Sequence, residues 1–351
     1  MKTTPCWSTS AYRGTIASEN SVTRNTLGRR GRLDRMQPVT IDDVHAAAER
    51  VRPHVVRTPL VPALWGDPDR PLWIKPESLQ PIGAFKVRGA FNAIAALTAR
   101  DPEVADVVAY SSGNHAQAVA YAAAVFGLRA HIVMPEETPA IKVEATRTRG
   151  ARVVLCGAGQ REQVAAAVAA ETGAVMIPPF DHPHVIAGQG TVGLEIAEDL
   201  PDVRNVLVPV SGGGLCSGVG VAIRALCPQA QVFGVEPELA ADTAEALRLG
   251  HRVDWPIEDR NRTIADGLRS QPSDLTFAHL QMVVDGMITV SEDEIRSAVR
   301  EFAVAGHLVS EPSGAVGLAA YRRGVTPPGA TVVVLSGGNI DPRLLLEVLA
   351  G

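Results

Sequence analysis

Short apolar runs that end in glycine, serine or proline and lead into helical patterns constrain this chain more than any other feature. "VADVVAY" (104–110), "RAHIVMP" (129–135), "ARVVLCG" (151–157), "NVLVPV" (205–210), "QVFGVEP" (231–237) and "TVVVL" (331–335) are such runs. Between them apolar residues recur at helical spacing, as in "FKVRGAFNAIAALTA" and "REQVAAAVAAETG". Strands without a polar face, alternating with helices, predict an α/β chain whose mostly parallel sheets are covered on both sides. Ligands of such sheets sit beyond the carboxyl ends of the strands. The loops after the strands are therefore where function should be sought.

Bulk properties narrow the class. With 351 residues, 46% of them hydrophobic, the chain can build two lobes with sizeable cores. The formal charge is -5, and the body after residue 36 holds 26 basic against 36 acidic residues, so no basic field invites nucleic acid. The richest apolar stretch, "AQAVAYAAAVFGL" (116–128), is too short to span a bilayer. Cys6, Cys156, Cys216 and Cys227 form no CxxC pair and are expected to be free thiols of a cytoplasmic protein. Residues 1–36 carry seven Lys/Arg, two Asp/Glu and little to bury, so a disordered extension is expected. A targeting peptide, or a true start at Met36, stays open. "TIDDVHAAAERV" then opens the body with a threonine cap and two acids.

Four loops carry the chemistry. In "LQPIGAFKVRGA" (79–90), Lys86 stands between an aromatic and a valine. It is either a snorkelling surface lysine or one kept neutral and nucleophilic. "SSGNHAQA" (111–118) offers backbone N–H groups at a helix N-terminus, suited to a carboxylate; an ordinary helix cap is the alternative. "SGGGL" (211–215) has three glycines that let the backbone wrap an anion, and it lacks the Gly-Lys-Ser/Thr ending of a nucleotide loop. "LSGGN" (335–339) presents Ser336, a neutral hydroxyl, at the end of a strand. A phosphate, a group that reacts with an amine, and a ring that accepts a neutral hydrogen bond are united in pyridoxal 5'-phosphate. "GQGTVG" (188–193) satisfies the dinucleotide fingerprint only literally, with no strand before it and no acid about twenty residues on; close helix packing explains these glycines better. "HPH" (182–184) reads as a loop.

Eight motifs in order, "KPESLQPIGAFKVRGAFNA", "SSGNHAQAVAYAA", "VIAGQGTVGLEI", "VPVSGGGL", "EPELAAD", "TIADGL", "EPSGAVGLAA" and "VLSGGNID", resemble the fold-type-II pyridoxal-phosphate enzymes. The nearest branch is that of the serine/threonine dehydratases and serine racemases. The resemblance covers residue 40 to the end. It implies a two-lobed, tryptophan synthase β-like fold: a large domain from 37–105 plus 182–351, a small one from 106–181, and a homodimer. By the same resemblance Lys86 is the Schiff-base lysine and Phe85 packs on the cofactor ring. Asn114 bonds the ring hydroxyl oxygen, Ser211, Gly212, Gly213, Gly214 and Leu215 hold the phosphate, and Ser336 faces the ring nitrogen. Ser111, Ser112, Gly113, Asn114 and His115 would receive the substrate carboxylate. The implied reaction is loss of water from a small β-hydroxy amino acid, giving a 2-oxo acid and ammonia, with neutral Lys86 removing the α-proton.

Alternatives stay open at several residues. Ser112, where many dehydratases have alanine, could be the second acid/base of a racemase or merely line its loop. Arg161 matches a position near the substrate side-chain pocket and could meet the second carboxylate of 3-hydroxyaspartate, or be a solvated arginine at a helix start. "EPELAAD" resembles a site for Mg²⁺ or Ca²⁺ formed by Glu236, the Ala240 carbonyl and Asp242; acids at a helix N-terminus are the other reading. Ala84 departs from the serine the family usually places there, and little chain follows "SGGNID", so an appended regulatory domain is not expected. A β-replacement synthase and a binding module without chemistry are the more remote functions.

Overall fold

Among the described residues Thr40 starts the first helix, α1 (Ile41–Val51), through a capping box: its side chain accepts from Asp43 N–H, and the Asp43 carboxylate accepts from Thr40 N–H at 2.8 Å. The computed structural model describes residues 37–351; the expected disorder of 1–36 lies outside them. After α1 come the strands β1 (Val61–Asp67) and β2 (Arg70–Pro76) and the helix α2 (Lys86–Arg100). Next, β3 (Asp106–Tyr110), α3 (Asn114–Val125), β4 (Arg129–Pro135), α4 (Ala140–Arg147), β5 (Arg152–Cys156), α5 (Arg161–Thr172) and β6 (Val175–Met176) alternate. Then follow α6 (Pro183–Asp199), β7 (Asn205–Pro209), α7 (Gly214–Leu226), β8 (Gln231–Pro237) and three helices, α8 (Asp242–Leu249), α9 (Ile257–Arg260) and α10 (Asp274–Val283). β9 (Gly286–Val290), α11 (Glu292–Val304), α12 (Pro312–Arg322), β10 (Thr331–Leu335) and α13 (Pro342–Ala350) complete the chain.

Two sheets result. A six-stranded sheet has the order β1-β2-β10-β7-β8-β9, and a four-stranded sheet the order β5-β4-β3-β6. Both are parallel except for the β1–β2 hairpin. β10 and β7 are buried at every residue, as strands covered on both faces should be. β10 pairs with β2 up to Leu335 opposite Pro76, so the loops after β2, β10 and β7 emerge side by side at one edge. β1 is absent from the sequence pattern: Pro62 and Gly66 interrupt it and Leu64 is exposed, all tolerable on an edge strand.

The glycines of "GQGTVG" lie within α6 and serve close packing. A Cβ at Gly188 would lie 2.7 Å from the Arg88 carbonyl oxygen, and one at Gly193 would lie 2.7 Å from that of Val219, so α6 presses against both α2 and α7. The "HPH" segment is not a loop, as expected, but a helix start. His182 is the N-cap of α6, its Nδ1 accepting from His184 N–H at 3.1 Å, with Pro183 at the first helical position.

A buried ionic quartet binds these elements. The Arg88 side chain, fully buried on α2, donates to Glu77 Oε2 (2.7 Å) and Oε1 (2.8 Å) after β2, and to Glu195 Oε1 (2.6 Å) and Oε2 (2.9 Å) on α6. Lys75 Nζ of β2 donates to Glu195 Oε2 at 2.6 Å, and Thr58 Oγ1 donates to Glu77 at 2.7 Å. Two cations face two anions. Burial would raise Glu77, but the charge and hydrogen bonds of Arg88 overrule it and hold the carboxyl below its ordinary value. Arg88→Met would leave two buried glutamates facing one lysine, so a stability loss of about 3–5 kcal/mol is expected in urea unfolding. Arg88→Lys should recover little, since one ammonium cannot span both carboxylates. An unchanged unfolding midpoint would contradict this role.

Candidate active site

The path from β2 to Lys86 is pinned at successive residues. Gly83 takes φ 74°, a conformation that favours glycine, and Ala84 bridges to Gly337. Phe85 N–H then donates to the Ser336 carbonyl at 3.0 Å, and Lys86 opens α2. Lys86 Nζ lies 5.0 Å from the Phe85 ring centroid and donates to the Pro179 carbonyl at 2.8 Å. No carboxylate among the described residues pairs with it, and burial lowers its pKa to about 8. A neutral amine is thus within reach near physiological pH.

The glycine loop approaches from β7. Gly213 holds φ 85° as the N-cap of α7, and no side chain caps that helix, so its first N–H groups are available to an anion. The Ser211 hydroxyl is occupied, donating to the Ser270 carbonyl at 3.1 Å and accepting from Ser270 N–H at 3.0 Å, while the Leu215 side chain is buried in the core. These two residues can offer only backbone groups to a ligand. Phe180, next to the Pro179 that receives Lys86, packs so closely that a Cβ at Gly212 would lie 2.2 Å from its ring. Segment 179–180 therefore joins lysine and glycine loop. Ser336 directly follows β10 and is buried. An uncapped, glycine-built helix start beside an unpaired lysine and a buried serine fits pyridoxal phosphate.

The third side comes from the four-stranded sheet. The loop after β3 carries Ser111, whose Oγ accepts from Gly113 N–H at 3.2 Å, then Ser112, half-buried, and Gly113, which caps α3 with no side-chain bond. Asn114 Nδ2 donates to Glu311 Oε1 at 2.7 Å. His115 Nε2 lies 2.8 Å from the Ile177 carbonyl, and burial followed by the Lys86 charge lowers its pKa to about 3. The ring is therefore neutral, donates through Nε2 and leaves Nδ1 as an acceptor. Burial, reinforced by Asp266, pushes Glu311 up to about 7.

Other candidates sit apart from Lys86. The Arg161 guanidinium is 5.8 Å from the ring centroid of Tyr110, the residue before Ser111, so it belongs to the rim of that loop. Glu236 accepts from Thr243 N–H (3.2 Å) and Ala244 N–H (2.9 Å), and it faces Asp242 at the start of α8 beyond buried Ala240. Burial, then Asp242, raises Glu236, and burial raises Asp242. Among the described residues no three His, Cys, Asp or Glu side chains group as metal ligands, so a cation here would need the Ala240 carbonyl and water.

Glu311, Asn339, Pro179 and Phe180 are site residues that sequence reasoning did not single out. A signal for Glu311 exists in "EPSGAVGLAA", an acid directly before the proline that opens a helix, but its side chain does not cap that helix. Pro179 acts through its carbonyl, which its residue type does not disclose.

The family described as pyridoxal-phosphate dependent enzyme matches residues 51–338. An L-threonine ammonia-lyase of Thermotoga maritima is 42% identical over 317 residues, covering 89% of this chain and 78% of that protein. An L-threo-3-hydroxyaspartate ammonia-lyase of Saccharomyces cerevisiae is 39% identical, covering 89% and 97% respectively. The structure of maize serine racemase superposes with a TM-score of 0.84 at 38% identity, over 90% of this chain and 98% of that one.

The depressed Lys86 makes a direct prediction. Because only the neutral amine reacts, labelling of Lys86 by an amine-directed reagent in cofactor-free protein should rise with pH and reach half its maximum near 8, not near the ordinary 10.5. Peptide mass spectrometry across a pH series reads this directly, and a midpoint near 10 would contradict it.

Proposed function

The chain belongs to the pyridoxal-phosphate-dependent enzymes, and on that premise we propose that it is an L-threonine/L-serine ammonia-lyase. The observation that carries this reading is Lys86: half-buried, bonded only to a backbone carbonyl, and placed beside an uncapped glycine loop. Among the described residues no helix is long and apolar enough to cross a membrane. With this reading go a small amino-acid substrate, the homodimer that the family resemblance implies and the cytoplasmic location expected from the unpaired cysteines. Residues 106–181, which carry the four-stranded sheet, are proposed as the small domain.

Bound pyridoxal phosphate supplies an aldehyde for amino groups and an electron sink for the α-carbon. Gly212, Gly213, Gly214 and the backbone of Ser211 and Leu215 would hold its phosphate, Asn114 its ring hydroxyl oxygen, Ser336 its ring nitrogen, and Phe85 its ring. The N–H groups of the Ser111–His115 loop hold the substrate carboxylate, favoured by the positive end of α3. Lys86 Nζ, whose pKa burial brings down to about 8, takes the α-proton in its neutral form. The substrate hydroxyl leaves with a proton as water, and the dehydrated amino acid takes up one water on hydrolysis, releasing its nitrogen as ammonia; the net reaction turns threonine into 2-oxobutanoate and ammonia, or serine into pyruvate and ammonia.

Ser112 supports a second reading, serine racemisation, because it stands, half-buried, in the loop whose His115 feels the Lys86 charge. Arg161, at the rim of the same loop, supports 3-hydroxyaspartate as a further substrate. Glu236 and Asp242, two buried carboxylates side by side, support a Mg²⁺ or Ca²⁺ site with the Ala240 carbonyl, since a cation would relieve their repulsion.

Lys86→Ala should abolish both the visible absorbance of the bound cofactor and 2-oxo acid release; a fully active variant would sink the proposal. A panel of L-threonine, L-serine and 3-hydroxyaspartate, assayed with chiral chromatography, should give 2-oxo acid as the main product, with D-serine appearing only under the racemase reading. Chelation by EDTA should lower the melting temperature and Mg²⁺ restore it, whereas indifference to both would remove the metal.

A further inference from the structure

The side-chain amide of Asn114 is bonded at both ends, and a backbone carbonyl sets the direction of the whole chain of bonds. Asn339 Nδ2 donates to the Ile82 carbonyl at 2.8 Å, which fixes the nitrogen side of that amide. The same nitrogen donates to Asn114 Oδ1 at 2.7 Å. Asn114 must then turn Nδ2 the other way, where it donates to Glu311 Oε1 at 2.7 Å. Rotating the Asn114 amide by half a turn would set N–H against N–H at Asn339, whose nitrogen side the Ile82 carbonyl fixes.

The surrounding backbone is shaped to admit the two partners. A Cβ at Gly83 would lie 2.6 Å from Asn339 Oδ1, and one at Gly337 would lie 2.4 Å from Glu311 Oε1. Glu311 N–H is tied to the Gly337 carbonyl at 3.0 Å, and Gly338 N–H to that of Gly83 at 2.9 Å. The relay runs from Ile82, four residues before Lys86, through the end of β10 to the first residue of α3.

We infer that Asn339 and Glu311 are positioning residues that hold the Asn114 amide in one orientation, with its second N–H left for a ligand in the Lys86 pocket. The inference rests on the reading of that pocket as a pyridoxal phosphate site. There, Asn114 would be a preformed donor to the ring hydroxyl oxygen, and the relay would tie the lysine loop to the loop that receives the substrate. Neither Asn339 nor Glu311 has to touch the cofactor for this.

The test uses holoenzyme: wild type, Asn114→Ala, Asn339→Ala, the double variant, Glu311→Gln and Glu311→Leu. Bound cofactor per chain, the position of its visible band, kcat and KM for L-threonine are measured. Asn339→Ala should keep its cofactor, shift the band and lower kcat about 10- to 100-fold with a smaller change in KM. In the Asn114→Ala background it should add almost nothing, because the residues act as one unit. Glu311→Gln, which retains an acceptor oxygen, should recover most of the band shift seen in Glu311→Leu. Full additivity of the two asparagine variants, or an unshifted band with undiminished kcat in Asn339→Ala, would overturn the inference. A wild-type protein that shows no cofactor band overturns the underlying reading instead, before any variant is made. Should Glu311→Leu fail to fold, the asparagine cycle decides alone.

Discussion

A buried guanidinium is the constraint on which the site depends. Arg88 lies two residues beyond Lys86 on the same helix, and its planar fork is saturated by Glu77 and Glu195. An isolated charge at this depth would be prohibitive, so four ionic groups must meet with correct geometry for the fold to close. Once they do, the start of α2 cannot slide against β2 or α6. Two backbone-level ties finish the placement: Phe85 N–H on the Ser336 carbonyl, and Lys86 itself on the Pro179 carbonyl. The lysine that needs freedom from acids stands one helical half-turn from an arginine that needs two of them.

Parallel topology does the rest. Because β2, β10 and β7 are parallel neighbours, their carboxyl-end loops bring Lys86, Ser336 and Gly212–Gly214 to one edge without any sequence proximity. The four-stranded sheet contributes its own carboxyl-end loop, Ser111–Asn114, from the far side. Asn114 is bonded directly to residues of the larger sheet's loops, so the cleft is bridged by hydrogen bonds as well as lined by them. A desolvated lysine, an uncapped helix start beside it and a donor of fixed direction on the loop after β3 are thereby supplied by separate elements.

Features written locally were legible in the sequence. Apolar strands announced the parallel sheets, Thr40 announced its helix, and three successive glycines announced an uncapped helix start. Lys86 could be picked out because a lysine in so apolar a run is unusual. What could not be read is what pairs at long range. Nothing near Arg88 indicates that its partner lies 107 positions away at Glu195, and Glu311 lies 197 positions from Asn114. Such pairs leave no periodicity in the chain. In "HPH" a proline after a histidine suggests a loop, whereas the first turn of a helix accepts proline freely and the segment opens α6. The resemblance places Ser211 and Leu215 in the phosphate loop; their side chains serve Ser270 and the core, which leaves their backbone for a phosphate.

The lysine content of the chain makes one measurement decisive. It holds only four lysines, Lys2, Lys75, Lys86 and Lys142. Lys75 is locked to Glu195, and Lys142 is paired with Asp266 at 2.9 Å. Reduction of the pyridoxal-phosphate-loaded protein with borohydride, followed by digestion and peptide mass spectrometry, should find the pyridoxyl phosphate mass on the Lys86 peptide in one-to-one amount and on no other. Stoichiometric labelling at Lys75 or Lys142, or a Lys86 peptide recovered unmodified, would contradict the account.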